Sequence, residues 1–228
     1  MKHAFIMDPL DKVKTHKDTS YFLMLAACEQ GHQVYYLDAG DLYVKDSSVM
    51  ATVQRVNVQD DPQAPFEPES EESVLMADMD AVWIRTDPPV DRAYFYMTML
   101  LDLLPASVKV INRPSTIRDW NEKLAALQYS QFTPATMVAR HSAQIVDFVH
   151  QHGRTTLKPI DGHGGAGILF VNSEQPDLES QIRLATHGGS HWVIVQQYLD
   201  AAKEGDKRIL LLNGEPLGAI LRLHAEGV

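Results

Sequence analysis

The stretch Leu157-Lys158-Pro159-Ile160-Asp161-Gly162-His163-Gly164-Gly165-Ala166-Gly167-Ile168 constrains this chain more than any other segment. An apolar run ends in a lysine, a glycine-dense loop follows, and a second apolar run begins. Glycines accept positive φ and let backbone amides come close to an anion. A lysine at the mouth of such a loop adds a mobile point charge. The pattern predicts a strand–loop–strand hairpin that folds over the phosphates of a nucleotide. A Gly-rich hairpin turn without any ligand has the same local pattern. Two better-known phosphate loops are excluded. The Walker A motif needs its lysine after the glycines. The Rossmann fingerprint needs other spacing and a helix next, whereas Ile168-Leu169-Phe170-Val171 reads as a strand.

The chain has 228 residues, enough for one large or two small domains, and 45% are hydrophobic, which supports a real core. No apolar run approaches the roughly 18 residues of a membrane span, so no membrane role is expected. The opening Met1-Lys2-His3-Ala4-Phe5-Ile6-Met7-Asp8 is too short an apolar stretch for a secretion signal. The lone Cys28 excludes an internal disulfide and fits a reducing cytoplasm. A formal net charge of −10 argues against nucleic acid as a partner. An anionic substrate then requires basic residues to be gathered locally.

Residues 2–7 read as a first buried strand. Asp18, Thr19 or Ser20 is placed to cap a helix that runs to about residue 30 and stops at Gly31. Residues 32–37 form a second strand, and this β-loop-α-β opening predicts a parallel α/β layer. Residues 50–58 alternate weakly, as a strand does. Residues 60–72 are acidic and contain prolines, and are expected to be an exposed loop. Residues 81–85 are a strand, 94–104 a helix, and 108–111 a last strand. Asp8, Arg85 and Asp87 then fall at carboxyl ends of strands, where open α/β sheets bind ligands. Asp87 before Pro88 is equally a turn former.

After Asn112 the character changes. Helices are expected over 114–119, 121–130, 142–151 and 177–186. Strands are expected over 136–139, 155–158, 168–171, 192–198, 208–212 and 217–223, with Asn213-Gly214 as a hairpin turn. His187 and His191 are four apart, but Gly188-Gly189-Ser190 between them argues against a helix and hence against a zinc pair.

Several ordered segments now point one way: Ile6-Met7-Asp8-Pro9 with Lys17-Asp18-Thr19-Ser20; Gly40-Asp41-Leu42-Tyr43; Arg85-Thr86-Asp87-Pro88-Pro89; Asn112-Arg113-Pro114; Arg118-Asp119-Trp120-Asn121-Glu122-Lys123-Leu124; Leu157-Lys158-Pro159 with its glycine loop; Gln196-Gln197-Tyr198-Leu199; and Gly205-Asp206-Lys207-Arg208. In this order the chain resembles the ATP-grasp ligases and, within them, the bacterial glutathione synthetases, over nearly its whole length. The resemblance implies an α/β fold. An N-terminal parallel-sheet, Rossmann-like (pre-ATP-grasp) domain over 1–121 precedes an α+β ATP-grasp domain. The first lobe, with its flap, spans 122–190, and an incomplete second lobe spans 191–228.

The implied activity is ATP-dependent ligation of γ-glutamylcysteine and glycine to glutathione through an acyl phosphate, with release of ADP and phosphate. A carboxylate is a poor electrophile because oxide is a poor leaving group. Phosphorylation cures that, provided the protein neutralises the transferring group and excludes water. By resemblance, Lys123, Lys158, Gly162, Gly164, Gly165 and Gly167 hold the phosphates. Gln196, Gln197, Tyr198, Leu199 and Asp206 then form the rest of the nucleotide site. Arg208 and Arg222 are the catalytic anion binders, since the arginine fork suits carboxylate and phosphate. Asp8, Arg85 and Asp87 bind the dipeptide. Without the resemblance, Lys123 is a surface lysine on a helix and the arginines pair with surface acids.

The family's magnesium ligands, an acidic Asp/Glu-x-Asn cluster, are expected downstream of Val228. None is expected within the chain, and Glu226 is a poor substitute. The 228 residues alone are therefore expected not to turn over. ATP and Mg²⁺ are the implied cofactors, and a cytoplasmic homo-oligomer, a tetramer, the implied assembly. The alternatives are another ATP-grasp carboxylate–amine ligase, or a non-catalytic nucleotide-binding protein.

Overall fold

The computed structural model describes residues 1–223. The chain forms two compact units, Met1–Glu122 and Lys123–Val228.

The first unit is built on a seven-stranded mixed sheet. Strand β1 (Lys2–Ile6) lies parallel to β2 (Gln33–Leu37) on one side and to β6 (Ala81–Ile84) on the other, and β6 pairs parallel with β7 (Lys109–Ile111). Side chains alternate across a strand. Both faces of β1 are covered, so its residues separate into two cores. Ala4 and Ile6 pack with Leu37, Val82, Met97 and Leu101 on the face of helix α2 (Arg92–Leu101). Phe5 pairs instead with Met7, Tyr21, Met24 and Val34 on the face of helix α1 (Thr19–Glu29). This two-sided burial makes the central strands continuous apolar runs. Asp18 caps α1, its Oδ1 accepting from Ser20 N at 2.7 Å and Tyr21 N at 3.1 Å. Gly31, at φ +76°, follows the helix end as the sequence signals. Helix α3 (Pro114–Asp119) closes the unit.

The other half of the sheet is antiparallel. Strand β4 (Ser48–Val58) pairs with β2 and with β3 (Leu42–Lys45) along one side, and with β5 (Phe66–Leu75) along the other. The expectation of a loop over residues 60–72 is corrected here, because its second half is β5. Glu67, Glu69, Glu71 and Glu72 are exposed on a strand that pairs through its backbone, and Asn57 Nδ2 and Gln59 Nε2 each donate to Glu67 Oε2 at 3.3 Å while Arg55 Nε lies 3.8 Å from Glu69 Oε1. β5 borders only β4. Charge along such an edge discourages pairing with a further chain, so an edge strand lacks the apolar alternation that would reveal it.

At the far end of β1 the His3 and His32 rings stack at 4.8 Å, and Trp83 Nε1 donates to His3 Nδ1 at 3.2 Å. His3 Nε2 is buried without a partner. Burial foremost, then the neighbouring His32 and the N-terminal amine, lower the His3 pKa from 6.5, while Asp80 acts weakly in the other direction. A histidine held below its unfolded pKa costs stability once the unfolded chain begins to bind the proton. Stability of this unit should therefore be complete above pH 6.5 and fall as the pH drops through 6.5 toward the folded value. Denaturation midpoints at pH 8 and pH 5 measure this. His3→Gln should flatten the difference, and an unchanged difference would contradict it.

The second unit holds a four-stranded antiparallel sheet in the order β10 (Leu169–Val171), β9 (Thr155–Pro159), β11 (Val193–Gln197), β8 (Thr136–Ala139). Helices α4 (Ser142–His152) and α5 (Leu178–Ala185) cover one face. Ile145, Val149 and Ile182 meet Leu157, Val193 and Val195 there in a buried core. A separate hairpin, β12 (Asp206–Leu212) with β13 (Glu215–Arg222), turns at Asn213 and Gly214, both at positive φ, as their sequence predicts. The helix expected over 121–130 is instead a 3-10 segment, Ala125–Phe132, broken at Tyr129 (φ −127°, ψ 48°). Among the described residues no helix is long and apolar enough to cross a membrane.

Candidate functional site

Alternation decides which side chains reach the open face of the second sheet. Leu157 and Val195 point into the helix-covered core, so their neighbours Lys158, Ile194 and Gln196 emerge opposite. With Lys123, Leu127, Thr133 and Thr136 they line a cleft of about 190 Å³. The 3-10 segment supplies one wall through Ala126 and Leu127.

The polar groups of this cleft form a connected series. Lys158 Nζ donates to Gln196 Oε1 at 2.7 Å, Gln196 Nε2 to Thr136 Oγ1 at 2.8 Å, and Thr136 Oγ1 to Pro134 O at 2.8 Å. Lys123 Nζ donates to the carbonyls of Ile160, at 3.2 Å, and Gly162. Burial first, then the nearby Lys123 cation, lowers the Lys158 pKa from its ordinary 10.5. Among the described residues the lining carries two ammonium groups and no carboxylate. Such a site attracts an anion, and this is the local clustering of base that so acidic a chain needs.

The Gly loop joins β9 to β10 as the predicted hairpin. Gly162 presses on Pro159, so a Cβ there would stand 2.5 Å from Pro159 Cγ. Gly164, Gly165 and Gly167 take φ of +58°, +82° and +73°, a region unfavourable to other residues. The loop is largely exposed and held by short turns, Ala166 N to His163 O at 3.0 Å and Ile168 N to Gly165 O at 3.4 Å. Two of its carbonyl-side anchors are those that Lys123 grips. Lys123→Met should therefore speed amide exchange at Ala166 and Ile168 about five- to tenfold. Unchanged protection would show that the lysine does not tether the loop.

The remaining sequence-derived residues fall at three places. Gln196 lines the cleft. Gln197, Tyr198 and Leu199 continue past it, with the amides of Gln197 and Tyr198 bonded to the carbonyls of Ala135 and Arg154, both at 2.9 Å. Asp206, Arg208 and Arg222 lie on the hairpin. Arg222 Nε donates to Asp206 Oδ2 at 2.8 Å, and Nη2 reaches the same oxygen. Asp206 faces Arg222 across the strands, and Arg208, two residues on, shares that face. Arg208 is exposed.

Asp8, Arg85 and Asp87 meet in a second cleft, of about 320 Å³, in the first unit, at the carboxyl ends of β1 and β6. Asp8 Oδ2 accepts from Asp87 N at 2.7 Å, and Arg85 Nε donates to Ser20 Oγ at 2.9 Å. The same cleft also holds Lys12, Lys17 and Asp18. Sequence reasoning passed over Lys12 and Ser20 as site residues. Lys12 lies in the β1–α1 connection and Ser20 in the first turn of α1, and segments at strand ends carry binding groups.

The rings of His187 and His191 come within 4.3 Å of each other in the turn after α5. Even so, no group of three His, Cys, Asp or Glu side chains among the described residues could hold a metal ion. Glu226 lies outside the described residues.

Comparison with solved structures defines the class. The chain is similar to a RimK-domain ATP-grasp protein from Sphaerobacter thermophilus (TM-score 0.63, 19% identity, 98% of this chain and 74% of that one). It is also similar to the D-cycloserine synthetase DcsG (TM-score 0.65, 16% identity, 98% and 68%). The fold is that of the ATP-grasp ligases, and the lysine-lined cleft beneath a glycine hairpin suits that class. Family models narrow it further. Residues 1–118 match the N-terminal domain of prokaryotic glutathione synthetase, and residues 122–227 match its ATP-grasp domain. The glutathione synthetase of Gloeobacter violaceus is 40% identical over 99% of this chain and 72% of its own length. That of Thermosynechococcus vestitus is 42% identical over 98% and 73%, and that of Vibrio cholerae 35% identical over 100% and 72%. The chain belongs to the prokaryotic glutathione synthetase family.

Proposed function

We propose that this protein is the ATP-dependent ligase that joins γ-glutamylcysteine to glycine, giving glutathione, ADP and phosphate through an acyl phosphate. The observation that carries the reading is the pair Lys123 and Lys158 in one cleft, below a hairpin whose glycines let backbone approach phosphate. Family membership supplies the reaction and the order of its steps.

Within this reading the chain's own groups divide the work. Lys123 and Lys158 neutralise the phosphates. Gly162, Gly164, Gly165 and Gly167 allow the hairpin to close and keep water from the acyl phosphate. Gln196, Gln197, Tyr198 and Leu199 border the base, and Asp206 belongs to the nucleotide site. Arg208 and Arg222 receive the developing anion, with Asp206 holding Arg222 ready. In the first unit, the γ-glutamyl end of the dipeptide carries an ammonium and a carboxylate. The cleft offers both signs to match, with Asp8 and Asp87 beside Arg85, Lys12 and Lys17.

The functional division follows the sequence: 1–121 for the dipeptide, 122–190 for the nucleotide lobe with its flap, and 191–228 for the start of the second lobe. Magnesium as the cation of the phosphates, a cytoplasmic setting and a homo-tetramer belong to the same proposal by family resemblance.

The test is a substrate panel on the protein as its gene encodes it. ADP release should require both γ-glutamylcysteine and glycine and should yield glutathione. Turnover with a different acid–amine pair, and none with this one, would overturn the assignment.

A further inference from the structure

In the first unit, one buried hydroxyl touches the exposed arginine of the 320 Å³ cleft. Ser20 is 3% exposed and occupies the first turn of α1, where Asp18 already holds its backbone amide. Its side chain is therefore not needed for the cap. Its Oγ instead accepts from Arg85 Nε at 2.9 Å, across 65 residues of sequence. Arg85 itself is anchored through its own amide, which donates to Ile6 O at 2.8 Å. The next turn is pinned where Asp8 Oδ2 accepts from Asp87 N. Backbone and Nε are thus both fixed, and the terminal fork of Arg85 is left for a ligand.

We propose that Ser20 is the positioning residue that sets the guanidinium of Arg85 for a carboxylate of the dipeptide. The proposal rests on the reading of this cleft as the γ-glutamylcysteine site. An arginine side chain has several rotatable bonds, and ordering it on binding costs affinity. A buried hydroxyl holding Nε removes part of that cost beforehand. Nε is the one guanidinium donor that can be held while both terminal nitrogens stay available for a bidentate carboxylate contact. Serine suits the position because it is short enough to be buried at the helix start.

Calorimetric titration with γ-glutamylcysteine tests this on four proteins: wild type, Ser20→Ala, Arg85→Lys and the double variant. Alanine is the better helix former and the cap bond is backbone, so Ser20→Ala should keep its melting temperature and its ATP affinity. It should weaken dipeptide binding about tenfold. Lysine has no Nε–H of this kind, so Ser20→Ala should cost nothing further in the Arg85→Lys background. Wild-type affinity in Ser20→Ala would overturn the proposal. So would an equal loss in both backgrounds, since that marks a merely structural role. Failure of the underlying reading looks different: either wild type does not bind the dipeptide, or Arg85→Lys binds it as tightly as wild type, and the proposal then falls with it.

Discussion

Replacing Lys158 with methionine is expected to weaken ATP binding about a hundredfold while leaving the nucleotide-free protein at least as stable as before. The two halves of this expectation have one cause. Lys158 is half-buried and close to the Lys123 cation, and both facts penalise its ammonium form. A lysine whose folded pKa lies below its unfolded value is a burden at every pH below the folded value. The burden is relieved only as the pH rises through that value toward 10.5. At neutral pH the protein therefore carries a cation it would be more stable without. Methionine removes the charge, keeps the length and gives up one hydrogen bond, that to Gln196 Oε1. A triphosphate reverses the balance, because a charge-assisted contact to phosphate is worth roughly 1.5–3 kcal/mol, and about 2.7 kcal/mol is a hundredfold in affinity. Calorimetry with ATP and a melting curve without it measure the two halves. A variant that is destabilised and yet binds ATP normally would mean that Lys158 is a structural residue.

Leu157→Ala should cost the second unit about 3 kcal/mol. Leu157 is fully buried among Ile145, Val149, Ile182, Val193 and Val195, and it lies opposite Leu169 and Val195 in the ladder. Large-to-small changes in such a core cost about 2–5 kcal/mol, from lost transfer energy and the cavity left behind. The neighbouring Lys158 owes its direction to this residue, because one side chain faces the core and the next faces the cleft. A cavity beneath β9 should therefore also loosen the ammonium and lower ATP affinity. Amide exchange in β9 and β11 reports the local stability. A loss below about 1 kcal/mol would mean that the core closes over the gap and does not fix the strand.

Local chemistry explains which elements are legible in the sequence. Helix α3 and strand β8 sit where the sequence puts them, because a proline opens the one and a short β-branched apolar run makes the other. β1 is legible as a buried strand, since both its faces are covered. β5 is not, because an edge strand of glutamates pairs through its backbone and shows no alternation. β3 is silent for a similar reason. Its hairpin turns on Asp46 and Ser47, both at positive φ, where the usual signal is a glycine. The 3-10 segment beside the cleft looks helical by composition, and its break at Tyr129 has no local signature.

At the site, Lys158 and the glycines announce themselves as a loop pattern, whereas Lys123 stands out only through family resemblance. Thr136, Leu127 and Ile194 reach the cleft by sheet register and wall placement. Ser20 meets Arg85 only because a parallel strand brings distant segments together. Such contacts are properties of the folded sheet and have no counterpart in sequence spacing.

The central claim is that Lys123 and Lys158, below the glycine hairpin, hold the triphosphate. A crystal structure with a non-hydrolysable ATP analogue tests it most directly. The phosphates should lie within hydrogen-bond distance of both Nζ atoms, with Lys123 released from the carbonyls of Ile160 and Gly162 and the hairpin closed over them. A nucleotide bound elsewhere, with both lysines still bonded as they are without it, would contradict the account.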